Sequence, residues 1–230
     1  MLKSKILETF HSIQGEGKYA GVSQVFVRFF ECNMHCVWCD TPNSIGDGKK
    51  EFKEYSCGEL FDTISPLWQR CHSVSLTGGE PLLQKDFIKE FIPYLKKAGM
   101  PVYLETNGIF FKELEETIDD TDTIAMDLKL PSSTQCRSYW KEHEKFLKVA
   151  KRKDVFIKAV VSADTKQEDI KTAVELVAGI DPAVVFFLQP NHFEIRNGIL
   201  KKCLDFQSYG QRYLQDVRVL PQVHKFIKMR

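Results

Sequence analysis

The feature that most constrains the fold is a regular alternation, from residue 73 onward, of short β-branched or aromatic runs with amphipathic stretches. Residues 73–76, 102–104, 123–126, 155–161 and 184–188 read as strands, and 217–220 is a last candidate. Between them, residues 85–98, 111–118, 138–150 and 167–178 read as helices. The first of these puts Phe87, Ile88, Phe91, Ile92 and Leu95 on one face, with Pro93 expected to kink it. Strands separated by helices of about 10–15 residues imply βαβ units and a mostly parallel sheet. Upstream, residues 6–10 and 24–30 read as strands, 12–17 as a loop and 42–52 as an exposed turn or hairpin. Residues 56–69 read as a helix with Ser56 as N-cap and Glu59 completing a capping box. No internal repeat, low-complexity tract or linker interrupts the chain, so residues 1–230 read as a single α/β domain.

Unusual polar residues collect at the ends of these strands. Thr77-Gly78-Gly79-Glu80-Pro81, Glu105-Thr106-Asn107-Gly108, Asp127-Leu128-Lys129 and Gln189-Pro190-Asn191 each follow one. In barrel-like α/β folds that end of the sheet binds ligands. The stretch Cys32-Asn33-Met34-His35-Cys36-Val37-Trp38-Cys39-Asp40-Thr41 follows the strand at 24–30 in the same way. Soft thiolates in a C-x3-C-x2-C spacing read as a metal site, because one tight loop can aim all three at one centre. Zinc would want a fourth ligand, for which His35 is the nearest in sequence. An iron–sulfur cube usually takes four cysteines, so three would leave one iron open to an outside ligand. The remaining thiols, Cys57, Cys71, Cys136 and Cys203, are isolated in sequence and read as packing residues, and an odd total of seven suits free thiols in a reducing compartment.

Charge and targeting exclude some functions. Lys plus Arg number 32 against 31 Asp plus Glu, so no basic surplus points to a nucleic-acid partner. No apolar run approaches the roughly 20 residues of a membrane span, and no signal-peptide core opens the sequence. The expectation is a cytoplasmic protein with no membrane partner.

With Trp38 just before the last cysteine, the cysteine pattern resembles the radical S-adenosylmethionine (SAM) superfamily. That resemblance implies a [4Fe–4S] cluster on Cys32, Cys36 and Cys39, with the open iron chelating the amino and carboxylate groups of SAM. It places Trp38 against the adenine, with Val37 and Cys39 as neighbouring SAM contacts, and Gly79 and Glu80 near the methionine ammonium. Asp127, Leu128, Lys129, Leu188, Gln189, Pro190 and Asn191 become further SAM-contact candidates. The implied fold is a partial, incomplete TIM-like barrel.

The front loop narrows the resemblance. Ser12-Ile13-Gln14-Gly15-Glu16-Gly17, Arg28, the cysteine triplet with Asp40-Thr41, and Gln222-Val223-His224-Lys225 are together similar to the 7-carboxy-7-deazaguanine synthase family, over nearly the whole chain. That family trims the superfamily barrel in helices and converts 6-carboxy-5,6,7,8-tetrahydropterin to 7-carboxy-7-deazaguanine with loss of ammonia, on the route to queuosine-type bases. The cluster and SAM generate a 5′-deoxyadenosyl radical that takes hydrogen from the carbon bearing the carboxylate, and SAM is re-formed. The resemblance implies substrate contacts from Ile13, Gln14, Gly15, Glu16, Arg28, Thr77 and His224, and Mg²⁺ at Thr41. It also implies a homodimer and an electron donor such as flavodoxin or ferredoxin. Gln14 and Glu16 suit an aminopyrimidinone edge, and Arg28 a carboxylate. The tail is expected to close the pocket, with the Arg230 carboxylate as a terminal contact; a final proline is common in that family, and Met229-Arg230 departs from it. The rival readings are a glycyl-radical-enzyme activase, against which the front loop and Asp40-Thr41 speak, and a non-catalytic zinc or iron–sulfur module.

Overall fold

The computed structural model describes residues 2–46 and 52–229. The chain opens with two long strands, β1 (Ser4–Ile13) and β2 (Ser23–Phe29), joined through the 3-10 turn Gly17–Tyr19. After the cysteine loop come β3 (Lys53–Tyr55), α1 (Cys57–Ile64), β4 (Ser73–Gly78), α2 (Lys85–Lys97), β5 (Val102–Thr106) and α3 (Phe111–Glu115). The remainder runs β6 (Thr123–Asp127), α4 (Pro131–Thr134), α5 (Trp140–Ala150), β7 (Asp154–Val161), α6 (Gln167–Ile180), β8 (Phe186–Pro190), α7 (Ile199–Gly210), β9 (Val217–Val219) and α8 (Val223–Phe226).

All nine strands form one sheet in the order β3-β1-β2-β4-β5-β6-β7-β8-β9. β1 is antiparallel to both its neighbours, and every pairing from β2 to β9 is parallel. Among the described residues no pairing joins β3 to β9, so the sheet stays open, as a partial barrel does. Because strand side chains alternate faces, each strand buries one set under the helices and turns the other inward. Val25, Val27, Val74, Leu76, Val102, Leu104, Ile124, Met126, Ile157, Ala159, Phe186 and Leu188 build the main core against the helices. Tyr103, Ala125, Phe156 and Phe187 form a second, smaller core on the inner face.

The α1 capping box is present, with Ser56 accepting from Glu59 N and Glu59 accepting from Ser56 N. The helix expected over 56–69 stops at Ile64, because Pro66 has no N–H to continue it and turns the chain into a 3-10 segment. α2 runs through Pro93, which sits on its exposed side. Ser12 and Ile13, read as loop, still belong to β1. The sequence reading left α7 unassigned, although Ile199, Cys203 and Phe206 recur at helical spacing and are buried. Of the turn expected at 42–52, Pro42–Ser44 is a 3-10 turn and 47–51 lie outside the described residues. No described helix is long and apolar enough to cross a membrane.

Candidate active site

Along the inner face, side chains change character from one end of the strands to the other. The apolar plug of Tyr103, Ala125, Phe156 and Phe187 fills the N-terminal half. Two residues further along the same strands, in the same phase, stand Glu105, Asp127, Lys158 and Gln189, which line a cavity at the C-terminal ends. The cysteine loop, the Gln14–Gly17 turn and the chain's tail complete its walls.

Cys32, Cys36 and Cys39 are free, half-buried and line this cavity together. Their loop is held by backbone: Glu31 N donates to Ser44 O (2.8 Å), Val37 N to Thr134 O (3.2 Å) and Glu80 N to Glu31 O (2.8 Å). Asn107 Nδ2 adds a bond to Asn33 Oδ1 at 2.7 Å. Gly79 has to be glycine for this closeness, since a Cβ there would stand 2.0 Å from the Glu31 carbonyl oxygen. Burial pushes the Cys36 thiol up to about 12 and raises Cys32 and Cys39 as well. A metal centre would reverse this by taking the thiolates. Among the described residues no three Cys, His, Asp or Glu side chains converge as a single ion requires. A cube grips each thiol through a different iron, so three free thiols spread around one cavity fit it. Cys57, Cys71 and Cys203 are buried packing residues, whereas Cys136 packs beside Cys32 and Cys36 around Met34, Ile109 and Tyr139.

Next to the loop, Trp38 Nε1 donates to Ser133 Oγ at 3.0 Å, and Lys129 Nζ lies 4.9 Å from the centre of its ring. Lys129 pairs with Asp127 at 2.7 Å, both side chains 13% exposed, so this is no surface pair. Burial disfavours the Asp127 carboxylate, yet Lys129 and Lys158 hold its pKa below the ordinary value. Its Oδ1 is buried with no partner among the described residues. Glu80 is fully buried and accepts from Leu82 N (3.1 Å), Thr106 Oγ1 (2.9 Å) and Asn107 N (2.8 Å). Burial outweighs these bonds and lifts its pKa to about 7. Glu80 thus ties the end of β4 to the end of β5, and its side chain does not line the cavity. Neither do those of Val37, which is 67% exposed, or of the buried Leu128, Leu188 and Pro190; Gln189 and Asn191 do.

The rest of the lining includes Ile13, Gln14, Gly15, Glu16, Arg28, Thr77 and His224. The Gln14 amide, expected to meet a ligand, is engaged within the protein. It donates to Gln24 Oε1 (3.0 Å) and Glu105 Oε1 (2.8 Å) and accepts from Glu16 N (3.0 Å). Thr77 Oγ1 likewise donates to Glu105 Oε2 at 3.0 Å, and Arg28 Nε to Glu8 Oε1 at 2.8 Å. Glu16 pairs with Lys158 and accepts from Gln222 Nε2 (2.6 Å) and Gln189 Nε2 (3.3 Å). The tail is fastened here: Val223 N donates to Gly15 O (2.9 Å), and Gln222 Nε2 and Lys225 Nζ each lie 3.2 Å from Asp40 Oδ2. Burial would raise the Asp40 pKa, but Lys225 and the bond from Gln222 hold it at about 2. Gly15 admits the tail, since a Cβ there would meet His224 Nδ1 at 1.9 Å. Burial lowers the His224 pKa and keeps the ring neutral. Thr41 lines the cavity, its hydroxyl donating to Asp40 Oδ1 at 3.1 Å. Arg230 lies outside the described residues.

Residues 27–180 match the family model described as the Radical SAM superfamily. The chain is 37% identical to the 7-carboxy-7-deazaguanine synthase of Geobacter sulfurreducens over 243 residues, 97% of each protein. The chain belongs to the 7-carboxy-7-deazaguanine synthase family. It is also 35% identical to the synthase of Thermoplasma acidophilum, over 96% of each protein, and 32% identical to that of Methanocaldococcus jannaschii, over 97% of this chain and 99% of that one. The fold matches the crystal structure of QueE from Escherichia coli with a TM-score of 0.64 at 22% identity, covering 97% of this chain and 96% of that one.

Membership of a radical SAM family, the 7-carboxy-7-deazaguanine synthases, implies a [4Fe–4S] cluster and SAM, which the free thiols fit. The sequence reading gave no site role to Lys158 or His192, and it used Asp40 and Gln222 only as motif residues, although all four line the cavity. Lys158 had a signal: it is the lone charge within the apolar run Val155-Phe156-Ile157-Lys158-Ala159-Val160-Val161, in phase with Phe156.

Proposed function

We propose that this chain converts 6-carboxy-5,6,7,8-tetrahydropterin to 7-carboxy-7-deazaguanine with loss of ammonia, in the making of queuosine-type bases. The observation that carries this reading is the meeting, in one cavity, of the three free thiols with the Gln14–Gly17 turn and the tail. Cys32, Cys36 and Cys39 would hold the cluster, while Trp38, Gly79, Asp127, Lys129, Gln189 and Asn191 would bound the space for SAM. When bound, the cluster and SAM supply a carbon radical that removes a hydrogen atom from the substrate.

The chain's own residues position the reacting carbon and exclude water. Glu16 offers a carboxylate to the N–H edge of the pterin, and the guanidinium of Arg28 attracts its carboxylate. Gln14 contributes at one remove, by holding the Glu16 backbone and the Glu105 carboxylate in place. Thr41 would supply a protein oxygen to Mg²⁺, an ion that favours oxygen ligands and would offset the charge of the substrate carboxylate. We read residues 1–230 as one domain whose tail closes the pocket through Gln222, His224 and Lys225. The enzyme works in the cytoplasm as a homodimer, reduced by a flavodoxin- or ferredoxin-type donor.

The test is anaerobic incubation of reconstituted protein with SAM, a reductant, Mg²⁺ and the carboxypterin, followed for the deazapurine. Product formation with SAM regenerated is expected. An intact cluster that yields no deazapurine would overturn the assignment.

A further inference from the structure

Lys158 is a charged residue in a place where charges are costly. It is buried on β7, between Phe156 and Val160 on the inner face, and its residue exposure is 9%. Its ammonium pairs with Glu16 and lies 3.7 Å from Asp127 Oδ2. Burial disfavours the ammonium, but Glu16 and Asp127 more than offset this and raise its pKa. Glu16 is faced by charges and polar groups from several elements: Lys158 on β7, Gln189 on β8, Asp40 beyond the cysteine loop, and Gln222 and His224 in the tail. The other nearby cations are engaged elsewhere, Lys129 with Asp127 and Lys225 with Asp40. Lys158 is therefore the cation that balances a largely buried carboxylate, whose side chain is 15% exposed. Without it, Glu16 would keep amide donors and lose its countercharge.

A carboxylate has about four acceptor positions; Glu16 uses three of them, toward Lys158, Gln189 and Gln222, and lines the cavity with acceptor capacity to spare. An aminopyrimidinone carries a ring N–H and an NH2 on neighbouring atoms, a donor pair that an anionic acceptor prefers strongly over a neutral one. We infer that Lys158 is a positioning residue for substrate selection: it holds Glu16 charged and turned into the cavity, and thereby sets the preference for a ligand with a 2-amino donor edge. The inference rests on the pterin reading above.

The test is a double-mutant cycle on the reconstituted holoenzyme with Lys158→Met, Lys158→Arg, Glu16→Gln and Glu16→Gln/Lys158→Met. KM and kcat are measured for the carboxypterin and for its 2-oxo analogue, a carboxytetrahydrolumazine, together with SAM affinity. Lys158→Met should raise KM for the 2-amino substrate by roughly 30-fold or more, as loss of one partner of a buried charge pair does, while KM for the 2-oxo analogue changes by less than about threefold. Lys158→Arg should restore most of the preference, and the double variant should be no worse than the worse single. If Lys158→Met fails to fold, the neutral double variant carries the test: it must fold and have lost the preference. Equal losses for both ligands, or additive losses in the double variant, would overturn the inference while leaving the pterin reading intact. A wild-type enzyme that neither binds nor turns over the carboxypterin overturns that reading, and this inference with it.

Discussion

The two walls of the cavity are built on different principles. On the cysteine side, many contacts run to backbone: Glu80 accepts from the amides of Leu82 and Asn107, Gly79 lies against the Glu31 carbonyl, and Val37 N donates to Thr134 O. On the other side, side chains meet side chains across long stretches of sequence, Glu16 with Lys158 and with Gln222, and Asp40 with Lys225. Backbone contacts at strand ends fix a geometry that must not change between turnovers. Side-chain latches on a short terminal helix can open at little cost, as low-stability elements near ligand sites do. The cofactor wall is thus a rigid mould and the substrate wall a fastening.

The sharpest way to break this contrast is to attack the mould. Replacing Cys32, Cys36 or Cys39 by alanine should remove both cluster iron and turnover, whereas replacing Cys57, Cys71, Cys136 or Cys203 should leave iron content unchanged. Iron that survives loss of Cys36 but falls with Cys136, its neighbour in space, would reassign the ligands. Next in size is the fastening. Deleting residues 226–230 should raise KM for the carboxypterin by about 10-fold or more, with SAM affinity within about twofold, because only the ordering of the substrate wall is lost. An unaltered KM would mean that another element closes the pocket. Thr41→Ala should lower turnover several-fold and flatten its response to added Mg²⁺ with the cluster retained; an unchanged response removes Thr41 from the metal site. The smallest effect belongs to a residue on neither wall. Ser56→Ala should cost about 1 kcal/mol of stability through loss of the α1 cap and leave both KM values alone. A shifted KM would show that the mould extends as far as α1.

The same contrast explains what could be read from the sequence. The cysteine spacing, Gly78-Gly79-Glu80-Pro81 and Asp127-Leu128-Lys129 are local signals, and the strands that carry them lie at or within two residues of the expected positions. The substrate wall depends on pairings that no local pattern displays. Gln14 and Glu105 are 91 positions apart, so nothing near Gln14 reveals that its amide is already engaged. Gln222 reaches Glu16 across 206 positions. Glu80 was legible as a motif residue, but not as the clasp between two strand ends, because burial and backbone partners are set by the sheet. Lys158 lay between these extremes. A lone lysine within an apolar strand of a parallel sheet has most of its side chain buried, so its position alone called for a counterion.

Trp38 gives the cavity an optical signature of its own. Its indole N–H is tied to Ser133 and a lysine ammonium stands over its ring, whereas Trp68 and Trp140 pack against the main core. Indole emission shifts with nearby charge, and an iron–sulfur centre absorbs in the range where tryptophan emits. Fluorescence from this one ring should therefore dim as the cluster is assembled. With the cluster absent, its emission wavelength should move when a ligand displaces Lys129, so occupancy can be followed without a label.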